Sequence, residues 1–157
     1  ERLVATLQIE VAQRLFAELS DKNYGLLTLL VQLRYEPQNW FKVPATCFFP
    51  QPSVDSACVV LERRAQPPLS QELTVTFTQV VKRSFSQRRK MMFKLLKEDW
   101  PAETLAWAFE QLGLPQQIRA EAVSLEQFVQ LTQLLSKGQR DSAESQPASK
   151  PNQANQP

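Results

Sequence analysis

The sequence predicts an α/β protein whose strand-rich first part gives way to a small all-helical region, and three observations carry that expectation. Leu3 to Ile9 is a short run of β-forming residues that passes straight into helical spacing from Glu10 to Ala17. Two further β-rich runs, Asn39 to Val43 and Ala57 to Leu61, flank a proline-rich connection. Beyond Gln66-Pro67-Pro68 the β-branched runs stop and apolar residues recur at helical intervals.

Taken in order, the first strand and helix are followed by Leu26, Leu27, Leu29, Leu30, Val31 and Leu33, a leucine density that suits a helix packed on a sheet face, with Gly25 as a tight entry. Pro44, Pro50 and Pro52 fix φ and remove hydrogen-bond donors, so Cys47 to Ser53 should be a stiff loop that cannot join the sheet. Gln66-Pro67-Pro68 reads as a linker, which divides the chain into residues 1–66 and 67–137. In the second part Leu73, Val75, Phe77, Val80, Val81 and Phe85 open the helical region. Leu105, Trp107, Phe109 and Leu112 continue it until Gly113 stops it. Ser124 and Gln127 form a capping box for a last helix carrying Leu125, Phe128, Leu131, Leu134 and Leu135. Residues 138–157 contain nothing apolar larger than alanine and read as a disordered tail.

The charge is unevenly placed. The chain has 18 basic and 16 acidic residues, yet the window Lys82 to Lys97 holds seven Lys or Arg and no Asp or Glu. Within it, Arg83, Arg88, Arg89 and Lys90 surround Phe85, a pattern that a phosphate backbone would exploit. Read as one helix at roughly 100° per residue, the window is amphipathic. Arg88 on the apolar side and Phe93 on the basic side instead suggest a break near Ser84-Phe85-Ser86. A solvated basic face accounts for the charge pattern equally well.

Composition narrows the chemistry. With no histidine, Ser-His-Asp and Cys-His nucleophile schemes and His-ligated metal sites are excluded. Cys47 and Cys58 lack Cys-x-x-Cys spacing and read as two free, buried thiols of a reducing cytoplasm. No run approaches the roughly 18 to 20 apolar residues of a membrane span, so the expectation is a soluble, cytoplasmic, metal-free monomer. The chain opens at Glu1 and its only methionines are Met91 and Met92, which reads as a fragment of a longer protein. Phe48 and Phe49 put aromatic rings on the stiff loop, an arrangement that suits stacking on an extruded base. The alternative is a loop whose rings plug the sheet edge.

Five segments in order resemble the KsgA-type (RsmA) small-subunit rRNA adenine dimethyltransferases: Gln8-Ile9-Glu10-Val11-Ala12-Gln13-Arg14-Leu15, Tyr24-Gly25, Phe48-x-Pro50-x-Pro52-x-Val54-Asp55-Ser56-Ala57, Phe85-Ser86-Gln87-Arg88-Arg89-Lys90, and Arg119-Ala120-Glu121. The resemblance implies the C-terminal half of such an enzyme. Residues 1–66 would be the last strands and helices of a Rossmann-like class I methyltransferase sheet, and 67–137 a helical rRNA-binding domain. It also implies dimethylation of two adjacent adenines near the 3′ end of 16S rRNA in the 30S subunit, with S-adenosylmethionine as donor. Phe48 matches the aromatic that packs on the target adenine. Arg88, Arg89 and Lys90 match cations that lie on rRNA phosphates, while Arg119 and Glu121 would hold the helical domain together. The Gly-rich cofactor loop and the Asn-Leu-Pro-Tyr motif have no counterpart in the chain, so the fragment alone should be inactive. Rivals are a 23S rRNA methyltransferase of the erythromycin-resistance type and a non-catalytic rRNA-binding assembly factor.

Overall fold

A computed structural model describes residues 1–144, with side chains placed as far as Gly138. The described strands are β1 (Arg2–Gln8), β2 (Tyr35–Val43) and β3 (Ser56–Arg63), and the helices are α1 (Ile9–Leu15), α2 (Leu26–Gln32), α3 (Gln71–Ser84), α4 (Met92–Leu96), α5 (Ala102–Gln111) and α6 (Leu125–Glu144). Short 3₁₀ turns occupy Ala45–Cys47 and Ala120–Ala122.

The sheet has the order β1-β3-β2 and both pairings are antiparallel. Neither pairing is of the parallel kind that makes up most of a doubly wound sheet. The β2–β3 connection, residues 44–55, carries only a 3₁₀ turn and no crossover α-helix, and it returns the chain antiparallel to β2. β3 alternates cleanly: Ala57, Val59 and Leu61 are buried, and Ser56, Cys58 and Val60 are half-buried on the other face. The buried face meets Ala12 of α1, with Ala5, Leu7, Ile9, Phe16 and Trp40 around it. The opposite face leaves Val4 and Phe41 exposed. Pro37 is accommodated because β2 is an edge strand, and the register slips between Pro37 and Asn39.

A second, larger core joins the helices through the fully buried Phe77, Phe109 and Phe128, with the Phe93 and Phe109 rings edge-on at 5.1 Å. Tyr24, Leu29 and Leu33 belong to this core. One sequence expectation changes here: α2 packs into the helical core as well as beside the sheet, so residues on both sides of Gln66-Pro67-Pro68 contribute to that core. Long-range packing sets a core, and the linker residues only mark where the backbone changes character.

The end of α6 also differs. The predicted tail begins at residue 138, but the helix continues to Glu144. A helix already nucleated adds one hydrogen bond for each residue fixed. Gly138 also admits a close approach, since a Cβ there would lie 2.7 Å from Thr104 Cγ2 at the start of α5. The rest of the predicted tail, 145–157, lies outside the described residues.

Candidate nucleic-acid interface

α3 starts at Ser70, whose Oγ accepts the Leu73 N–H at 3.4 Å, and buries Phe77, Val80 and Val81 along one stripe. It ends where hydroxyls compete for carbonyls: Ser84 Oγ donates to Val80 O at 2.7 Å and Ser86 Oγ to Arg83 O at 2.7 Å. The Lys90 N–H then closes a turn onto Gln87 O at 2.9 Å, and the Met92 N–H donates to Ile118 O at 2.9 Å before α4 begins. The basic window is therefore two helices and a loop, not one helix. The continuous amphipathic pattern arose because α3 and α4 bury their apolar stripes in the same core.

The break separates the cations by role. Arg83 was expected to face nucleic acid, but Asp99 receives bonds from its Nε and, at 2.9 Å, its Nη2, while Glu98 accepts from Nη1 at 2.7 Å. The neighbouring Asp99 carboxylate holds its pKa above the ordinary value. Arg83 is thus a strut between α3 and the segment after α4. Its clamping carboxylates stand one and two positions beyond the basic window, the only signal in the sequence that could have exposed it.

Arg88 Nη2 donates to Lys22 O at 2.8 Å, which ties the loop to the segment before α2. Glu121 lies 3.8 Å from Arg88 and 3.9 Å from Arg119, and its main-chain carbonyl accepts the Ser20 N–H at 3.1 Å. The expected Arg119–Glu121 pair is therefore a loose, exposed contact that also involves Arg88. Arg89 and Lys90 are exposed, and their side chains have no partner among the described residues.

The β2–β3 loop is held at its base by Asp55. Its carboxylate accepts the Ala45 N–H at 2.9 Å and the Lys42 ammonium at 2.6 Å, and its main-chain carbonyl accepts the Ile9 N–H at 3.1 Å. The Lys42 bond first, and the Ala45 N–H second, hold this carboxyl below the usual carboxylate range. The sequence marks Asp55 only as part of the Phe48 to Ala57 motif and does not identify Lys42 as its partner. Within the loop Phe48 is 37% exposed and Phe49 fully exposed, with the Phe49–Pro50 peptide cis. The Phe49 ring stands in solvent, which is not what a plug for the sheet edge requires. Cys47 and Cys58 are free but not buried: Cys47 is exposed on the 3₁₀ turn and Cys58 half-buried on the uncovered sheet face.

Two further features bound the chemistry. Gly25 caps α2 in extended backbone (φ 176°), Gly113 ends α5 and Gly138 lies in α6, while Gln8 and Ile9 form the β1–α1 junction. Cofactor phosphates and nucleosides are approached by glycine-rich strand-to-helix turns. These residues do not provide one, so they do not fit an S-adenosylmethionine site. Among the described residues no helix is long and apolar enough to cross a membrane, and no group of three or more His, Cys, Asp or Glu could hold a metal ion.

The sequence profile for ribosomal RNA adenine dimethylases matches residues 1–137. The chain belongs to this family. Among curated members it is 42% identical over 139 residues to the ribosomal RNA small subunit methyltransferase A of Myxococcus xanthus, covering 85% of this chain and 48% of that protein. It is 38% identical over 138 residues to the protein of the same name from Geobacillus thermodenitrificans, covering 85% and 47%. The chain thus spans about half the length of the curated relatives it matches. A dimethyladenosine transferase from Plasmodium falciparum superposes with a TM-score of 0.75 at 22% identity, over 87% of this chain and 57% of that one. A 23S rRNA methyltransferase superposes with a TM-score of 0.61 at 25% identity, over 87% and 55%. The family is one of methyltransferases acting on rRNA, and its α/β fold here takes the form of a small antiparallel sheet with helices.

Proposed function

We propose that this chain is the rRNA-engaging C-terminal part of an enzyme that dimethylates two adjacent adenines near the 3′ end of 16S rRNA in assembling 30S particles. The observation that carries this reading is the stapled β2–β3 loop, because it holds an accessible phenylalanine still at the place where the family resemblance puts the target-base contact. Phe48 offers a flat face to the extruded adenine, and the Asp55 contacts to Lys42, Ala45 and Ile9 keep that face from wandering. Methyl transfer to a weakly nucleophilic exocyclic amine depends on orientation, so a fixed stacking surface serves it directly. The methyl group comes from S-adenosylmethionine, held by residues other than these. Arg89 and Lys90, with Arg88 as their anchor, set register on rRNA phosphates and read no sequence. Arg83 has no part in that contact. β1 is an edge strand with Leu3 and Val4 exposed, which suits pairing with the remainder of a larger sheet. Monomeric action in the cytoplasm completes the proposal.

A second reading rests on the glycine placement: with no cofactor turn, the chain would be a non-catalytic rRNA-binding assembly factor. A third, action on 23S rRNA, draws on the likeness to the 23S rRNA methyltransferase. The test is transfer of labelled methyl groups to unmethylated 30S particles and to naked 23S rRNA, using this chain alone and joined to the N-terminal half of a relative. Transfer to 30S by the joined form only supports the enzyme reading. Binding to 30S without transfer in either form selects the assembly factor, and preferential transfer to 23S rRNA selects the third.

A further inference from the structure

The loop after α3 closes one side of a groove of about 490 Å³. Its lining includes three cations, Arg14, Lys22 and Arg88, and no acidic residue. Its apolar surface comes from Leu27, Leu30 and Phe85. The Phe85 ring sits between Tyr24 at 6.2 Å and Phe128 at 6.1 Å, so it is fixed in place. Tyr24 is anchored in turn by donating its hydroxyl to Val123 O at 2.9 Å, and burial, then Glu126, raise its pKa, so it stays neutral. Arg88 is fixed by its bond to the Lys22 carbonyl, whereas the Arg14 and Lys22 side chains have no partner among the described residues.

We infer that this groove takes one unstacked nucleotide of single-stranded RNA, its base against Leu27, Leu30 and Phe85 and its phosphate among Arg14, Lys22 and Arg88. A volume of this size suits a nucleotide. The pairing of a fixed apolar wall with a basic rim, in which Glu121 at 3.8 Å offsets Arg88 only loosely and Arg14 and Lys22 are unpaired among the described residues, complements a base and its phosphate. Single strands can offer that combination, while duplex bases stay stacked inside the helix. The site is separate from the β2–β3 loop and gives the chain a second, sequence-tolerant hold on RNA. The inference rests on the rRNA reading.

The test is fluorescence anisotropy of the full chain with a labelled single-stranded RNA and a blunt duplex of equal length, with polyglutamate as competitor. Leu27 is 36% exposed, so Leu27→Ser should lower Tm by only a few degrees and leave the chain folded at the assay temperature, which a thermal melt checks. It should weaken single-strand binding by about fivefold, the low end of a base contact, and leave duplex binding alone. Arg14→Gln should flatten the single-strand salt slope by about 0.7. Equal effects of Leu27→Ser on both RNAs, or no effect on either, would overturn the inference, as would polyglutamate displacing the single strand at equal affinity. If Arg89→Ala with Lys90→Ala weakens duplex binding while Leu27→Ser does nothing, only the groove fails. If the wild-type chain binds neither RNA, the rRNA reading fails with it.

Discussion

Replacing Arg89 and Lys90 together with alanine removes two exposed cations that have no protein partner among the described residues, so the loss should fall on RNA binding and not on folding. Each phosphate contact surrendered lowers the slope of log affinity against log salt by about 0.9 on duplex RNA if it behaves like B-form DNA, so the pair lowers it by about 1.8. Over the fourfold rise from about 50 to about 200 mM salt, the wild-type chain should then lose about twelvefold more affinity than the variant. Arg83→Gln is the contrasting case. To reach a phosphate, Arg83 would first have to leave Asp99 and Glu98, so this substitution should leave the slope unchanged and lower Tm by loosening α3 from the segment after α4. Filter or anisotropy titrations at several salt concentrations, paired with thermal melts, measure both quantities. An Arg83→Gln slope that drops as far as that of the double variant would refute the assignment, because it would mean that the carboxylates release Arg83 to RNA.

Phe48→Ala in the enzyme completed with an N-terminal half should reduce methyl transfer far more than 30S affinity, since a base stack of about 1 to 3 kcal/mol is a small part of a large interface; equal losses in single-turnover rate and affinity would reduce Phe48 to a loop prop. Asp55 has a depressed pKa, so its contribution to loop order is complete above the unfolded value of about 3.9 and fades as pH falls through the lower folded value. The Ala45 amide resonance should therefore move on acidification in the wild type and stay still in Asp55→Asn, and movement in both would remove Asp55 as the cause. Ser124→Ala breaks a reciprocal cap, in which Gln127 N donates to Ser124 Oγ at 3.2 Å and Ser124 N to Gln127 Oε1 at 3.0 Å, and should cost about 1 kcal/mol in denaturant melts. Gly113→Ala places a Cβ on backbone at φ 62° and should cost roughly 1 to 2 kcal/mol, with no effect on RNA binding.

Much of this molecule is written in short stretches of sequence. The Ser124–Gln127 box, the stop at Gly113, the alternation along β3 and the proline-stiffened loop depend on residues within a few positions of one another, where periodicity, capping and dihedral limits act directly. The composition also settled the lack of histidine chemistry, and the ordered motifs placed the chain in its family. What sequence could not rank was the fate of the cations. Arg83, Arg88, Arg89 and Lys90 are alike on paper, yet one is clamped 16 residues away by Asp99, one is bound 66 residues away by the Lys22 carbonyl, and two are free. The same holds for α2, whose leucines suited a sheet face and packed into the helical core, and for the groove lined by Arg14, Leu27 and Phe85. Charge and hydropathy are properties of a residue, but whether a charge is available depends on what the folded chain brings within 3 to 4 Å of it. Only the tertiary structure decides that.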